Sequence, residues 1–182
     1  MKTGKTVKVL LTAATAAGML AGCGSKTDTD TFRFASELDI QGMDSTVVDD
    51  GMSFNAIHAI TDGLTAVNEK GKTAPAIAKS WDVSADGKTY TFHLRDAKWT
   101  NGDKVTANDF VYSWRKIIKD AGNYAYMLGS GGASVKNADA LMELGANATD
   151  EQMATLGVTA KDDQTLVVEL ENKVPYFTDL MA

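Results

Sequence analysis

Residues 80–95 read SWDVSADGKTYTFHLR, two alternating runs separated by a turn containing Asp86-Gly87. Strict alternation puts successive side chains on opposite faces of a strand, so this stretch predicts a β-hairpin with one apolar face. Tyr90, Phe92 and Leu94 fall on that face, and Thr91, His93 and Arg95 on the other. Trp81 and Val83 are the matching apolar positions of the first strand. A hairpin with one greasy face cannot stand alone in water, so the rest of the chain must cover it.

The candidates for that cover lie downstream. Thr106 precedes a helical pattern, and Asp109 three residues later gives an acidic variant of the capping box. Phe110, Trp114, Ile117 and Ile118 recur at helical spacing and predict one buried stripe. Lys116 and Lys119 sit toward the C-terminal end, where they suit the helix dipole. GVTAKDDQTLVVELE, residues 157–171, predicts a second hairpin with Asp162-Asp163 at its turn. Ala138–Leu144 and Thr149–Leu156 read as short helices, and KVPYFTDLMA opens a further element. Upstream, Thr31–Ala35 alternates around Phe32 and Phe34 as a short strand. Phe54, Ile57 and Ile60 predict a helix over Ser53–Thr61 with Ser53 near its N-cap, and Asn68–Gly71 a turn. GSGGAS, residues 129–134, reads as flexible; it lacks the Lys-Ser/Thr of a phosphate-cradling loop. Strands and helices in alternation make a mixed α+β architecture. Trp81, Trp99 and Trp114 each lie in an apolar pattern and are assigned to packing.

The single cysteine, Cys23, has its own context. Lys2, Lys5 and Lys8 precede an apolar run over Val9–Leu20, and Ala21-Gly22 lead into the cysteine. This is the layout of a secretory leader, with an apolar run too short for a membrane span of roughly 20 residues. Leu-Ala-Gly-Cys resembles a bacterial lipobox, which implies cleavage before Cys23, a diacylglyceryl thioether on it and a lipid-anchored N-terminus. The expected organisation is a signal peptide over 1–22 and a polar tether over 23–30. A lone cysteine forms no intramolecular disulfide.

Charge narrows the partners. The chain has 18 basic and 24 acidic residues. Without the three leader lysines the balance is 15 against 24, or −9. An acidic secreted domain is poorly suited to neutralising phosphates, which argues against nucleic acid as a partner. Catalytic patterns are scarce. His58 and His93 are 35 residues apart and match no metal spacing. His93 falls on the polar face of its strand and reads as a surface histidine. No serine has a nucleophile elbow, and the Asp49-Asp50 and Asp162-Asp163 pairs read as solvated. The residues predict a protein without enzymatic activity, metal or cofactor.

Ala78–Lys116, AKSWDVSADGKTYTFHLRDAKWTNGDKVTANDFVYSWRK, closely resembles the signature region of the family 5 extracellular solute-binding proteins. Asp162–Phe177 and Gly42–Leu64 resemble two further segments of that family, so the likeness runs from about Thr31 to Ala182. It implies the oligopeptide- or dipeptide-binding component of an ABC importer, with permease and ATPase subunits as partners. It also implies a monomeric two-lobed clamshell that closes on a peptide, at the outer face of the membrane or in the periplasm. On this likeness, 31–61 would be the start of the first lobe and 62–182 most of the small lobe. Complete members are longer, so the resemblance implies an N-terminal part of a receptor. Peptide affinity of this part alone is then expected to be weaker than about 1 mM. Carried over residue by residue, Asp49 takes the place of an acidic residue beside the ligand backbone, Gly51 a backbone-contact position, and Tyr124 a ligand-contacting tyrosine. The alternatives are a signalling-peptide receptor of the same family, or a surface lipoprotein that keeps the scaffold without binding.

Overall fold

The computed structural model describes residues 35–36 and 38–182. The leader, Cys23, the tether and the strand expected over Thr31–Ala35 lie outside these residues, apart from Ala35. Leu38–Ala182 forms one unit.

The unit opens with a loop and helix α1, Gly51–Ile60. Two short strands follow, β1 (Thr65–Val67) and β2 (Thr73–Pro75), paired antiparallel. Asn68 makes their turn, its side-chain oxygen accepting from the Lys70 and Lys72 amides. The main sheet is antiparallel, with the order β3-β4-β6-β5. Strands β3 (Ala78–Val83) and β4 (Thr89–Leu94) are the predicted first hairpin, with Trp81 opposite Phe92 and Val83 opposite Tyr90. Strands β5 (Val158–Asp162) and β6 (Thr165–Glu169) are the second. Strand β6 inserts beside β4, pairing Val168 with Tyr90 and Leu166 with Phe92. The apolar faces of the two hairpins thereby become continuous: Tyr90, Phe92, Leu94, Leu166 and Val168 are all buried.

Helix α2 (Ala107–Lys119) packs on this face, against β5 and β6. Its start is fixed twice. The Asp109 carboxylate accepts from the Thr106 amide at 2.6 Å, and the Ala107 amide donates to the Asp163 carbonyl in the β5–β6 turn. Helix α3 (Ala138–Leu144) packs against α2, and α4 (Asp150–Met153) follows it in the chain. Helix α4 has a full capping box, with Thr149 and Gln152 exchanging bonds, but it is shorter than the pattern over Thr149–Leu156 predicts. The C-terminal segment brings Phe177 fully under the sheet, 4.5 Å from the Tyr90 ring centroid, and ends in a 3-10 turn over Asp179–Met181.

Five local expectations need correction. Ser53 is not the cap of α1; Asp50 is, its carboxylate accepting from the Ser53 amide at 2.8 Å. Aspartate reaches back over the first turn as readily as serine, and it stands three residues earlier. The buried stripe of α2 is Ala107, Val111 and Ile118, while Phe110, Trp114 and Ile117 are half-buried along its flank. The helix packs on β5 and β6, and the bulkier Phe110, Trp114 and Ile117 border a groove. Val83 and Trp99 are each 48% exposed. Val83 ends an edge strand, and Trp99 sits on a turn where its amide bonds Asp103, so neither reaches the core. Residues 129–134 are a packed turn: Ala133 and Ser134 are buried, and their amides donate to Met127 and Gly129 carbonyls.

Candidate functional site

The residues singled out upstream of the sheet, Asp49 and Gly51, sit at the end of a loop built by short-range bonds. The Asp44 side chain accepts from the Thr46 amide at 2.9 Å and from the Thr46 hydroxyl at 2.7 Å. The Val47 and Val48 amides donate to the Asp44 carbonyl. Ser53 closes the base. Its hydroxyl oxygen accepts from the Gln41 and Gly42 amides, 12 and 11 residues back, and the side chain is fully buried. These bonds set the charges. Hydrogen bonds from Thr46 hold the Asp44 carboxyl below its usual range, and hydrogen bonds from Ser53 do the same for Asp50.

The Asp49-Asp50 pair is therefore split. Asp50 is engaged as the helix cap, whereas the side chain of Asp49 is exposed to solvent. Gly51 is the first residue of α1, and a Cβ there would meet nothing within 4 Å. The surface at this point is open to an approaching backbone.

Tyr124 arrives from the opposite side, after α2. Its ring packs edge-on against Phe54 of α1, with centroids 5.2 Å apart and planes at 85°. Tyr126 lies beyond it at 6.3 Å. The link between the two segments is Asn123. Its amide donates to the Thr46 carbonyl at 3.0 Å, and its side-chain nitrogen to the Val47 carbonyl at 2.7 Å. Gly122 permits the approach, since a Cβ there would lie 2.8 Å from the Thr46 oxygen and 2.7 Å from Ile117. The structure thus joins the segments that carry Asp49, Gly51 and Tyr124. Phe54, Gly122 and Asn123 were not expected. Gly-Asn after a helix reads only as a stop signal, and nothing local says what it docks against.

On the other side of Tyr124 runs a groove of about 380 Å³ that Leu64, Phe110, Trp114, Ile117 and Met181 also line. An aromatic edge beside an apolar groove suits a ligand with apolar side chains; Asp49 and Gly51 do not line that groove. His58 is exposed, and His93 lies on the outer face of the sheet, 2.8 Å from Asp82, as expected for a surface histidine. Among the described residues, no group of three or more His, Cys, Asp or Glu could hold a metal ion. No described helix is long and apolar enough to cross a membrane.

Comparison with known proteins is consistent across sequence and structure. The family model described as bacterial extracellular solute-binding proteins, family 5 Middle, matches residues 72–182. A dipeptide-binding protein of Lactococcus lactis subsp. cremoris is 38% identical over 186 residues, covering 100% of this chain and 32% of the relative. Among solved structures, the substrate-binding domain of an oligopeptide ABC transporter from Bacillus anthracis matches with a TM-score of 0.74 at 38% identity, covering 82% of this chain and 28% of that one. The Haemophilus influenzae OppA complex with the peptide RPPGFSPFR matches with a TM-score of 0.70 at 39% identity, covering 78% and 27%. The chain spans less than a third of the length of these proteins.

Proposed function

This chain belongs to the bacterial extracellular solute-binding proteins of family 5, and from that premise we propose that it serves in the capture of extracellular oligopeptides for an ABC importer. The family is one of solute-binding proteins rather than enzymes. The observation that carries the proposal is the docking of Asn123 onto Thr46 and Val47, in the loop that leads to Asp49 and Gly51, next to Tyr124, whose ring lines an apolar groove. Peptide backbone meets the open loop at Gly51 and the Asp49 carboxylate, which accepts from backbone N–H groups. Tyr124 stacks on or bonds to the ligand from across the junction. Water between ligand side chains and the groove adapts to different sequences at small cost, which suits a receptor of broad specificity.

In this reading residues 31–61 begin the first lobe and 62–182 form most of the small lobe of a clamshell receptor. A thioether-linked diacylglyceryl group on Cys23 holds the protein at the outer face of the membrane, next to permease and ATPase partners. Two acyl chains are enough for stable anchoring.

The test is a heteronuclear NMR titration of the labelled chain with tri-alanine. A single lobe leaves most of a ligand wet, so the expected affinity is weak, about 1 mM or worse, or less than roughly 4 kcal/mol. Shifts should concentrate at Asp49, Gly51 and Tyr124. No shift at those residues at tens of millimolar peptide, or shifts confined to the outer sheet face, would rule the reading out.

A further inference from the structure

The loop that carries Asp49 is built by its own bonds, but those bonds do not fix where it stands against Tyr124. Asp44, Thr46, Val47 and Val48 bond among themselves, and Ser53 ties the loop base to α1. Such a loop is internally ordered yet free to swing as a unit about its base. Two long-range hydrogen bonds oppose that swing beside the buried Thr46 and Val48, and both come from one residue. Asn123 donates its amide to Thr46 and its side-chain nitrogen to Val47, 76 residues away in sequence. Val47 itself is 61% exposed, whereas Val48 beside it is 6% exposed; burial of Val48 is non-directional, and the Asn123 bonds supply the directional hold. The Phe54–Tyr124 ring contact holds the helix side of the junction but not the loop.

We infer that Asn123 is a positioning residue, which sets the spacing between the acidic loop and the tyrosine-bearing segment of the ligand site. The inference rests, for its purpose, on the peptide-binding reading. Asn123 touches no ligand in this scheme; it acts through Asp49, two residues beyond the carbonyl that its side chain holds. A side-chain amide is suited to the task because it donates to a neutral carbonyl without adding charge beside the carboxylate. The adjacent Gly122, with no room for a Cβ, lets Asn123 come within bonding distance.

The experiment is amide hydrogen exchange on the full chain, combined with the tri-alanine titration. Asn123→Ala removes the side-chain bond, and Asn123→Asp keeps the shape but replaces the donor with a carboxylate facing a carbonyl. Both should raise exchange of the amide at position 123, which donates to the Thr46 carbonyl across the junction, by about tenfold or more, as local opening does, while Phe92 and Val168 keep their protection. Both should weaken the tri-alanine response at Asp49 and Gly51 by about fivefold, a separation that a general loss of stability would not produce. Unchanged exchange at position 123, or that amide and the sheet amides exchanging faster together, would overturn the inference. So would a loosened loop with an unchanged tri-alanine midpoint. If the parent chain gives no tri-alanine response while the variants still loosen the loop alone, the clamp stands and the receptor reading fails.

Discussion

The Thr65 hydroxyl donates to the Thr178 carbonyl at 2.7 Å, joining residues 113 apart. Thr65 is 1% exposed in the first short strand, and the turn it holds carries Phe177 into the core beneath Tyr90. The bond ties the beginning of the sheet region to its last segment. Thr65→Val keeps the shape and leaves that carbonyl without its donor. Chemical denaturation should show a loss of about 1–3 kcal/mol with an unchanged m-value. A loss below about 0.5 kcal/mol would mean that water replaces the hydroxyl freely.

The glycines of residues 129–134 are not equivalent. A Cβ on Gly132 would lie 2.3 Å from the Met127 carbonyl oxygen, and backbone cannot yield as a side chain can. A Cβ on Gly131 would meet only Tyr126 atoms at 3.5 Å, an ordinary contact. Gly132→Ala should therefore destabilise by about 1–3 kcal/mol or more. Gly131→Ala should stay within about 0.5 kcal/mol of the parent. Equal melting temperatures for the two variants would show the turn to be as loose as its composition suggests.

Trp114 borders the groove rather than filling the core, so its truncation is milder than for a fully buried ring. Trp114→Ala should cost about 1–2 kcal/mol, roughly half the burial value of a large apolar side chain. Its fluorescence should be accessible to a neutral quencher such as acrylamide. Complete protection would place the indole inside the core.

Acid should open the loop before the sheet. Asp44 and Asp50 both titrate below the ordinary 3.8 because hydrogen bonds from Thr46 and Ser53 favour their charged forms; Lys116 adds to the effect at Asp44. A carboxyl with a depressed folded value stabilises the fold above pH 3.8, and that contribution is lost as pH falls through the lower folded value. The Thr46 and Ser53 amide resonances should then move with midpoints below pH 3.8. Midpoints at or above it would show that these bonds are not made in solution.

Cys23→Ser should abolish incorporation of a palmitate analogue in cells that express the whole leader. Equal labelling of the serine variant would remove the lipid anchor from the proposed function.

Much of the architecture was legible in order along the chain. The alternation of Tyr90, Phe92 and Leu94, the spacing between Thr106 and Asp109, and the Asp86-Gly87 turn are signals carried within a few residues. Strand period, capping chemistry and turn chemistry act over that range, so both hairpins and the main helix followed from sequence. The likeness over Ala78–Lys116 pointed to the family for the same reason, since these segments are contiguous. Burial was different. Whether Trp99 or Trp114 is covered depends on which surfaces other segments bring to it, and an apolar pattern does not name them. The roles of Asp49 and Asp50 divided only when Ser53 was placed, because two adjacent carboxylates compete for one cap and the helix start decides between them. The packing of residues 129–134 and the bonds from Asn123 to Thr46 and Val47 likewise follow from docking between distant segments. Local preference fixed the elements; the partners that bury, pin and expose them were settled by tertiary contact, because hydrogen bonds and excluded volume act between surfaces that the chain brings together only on folding.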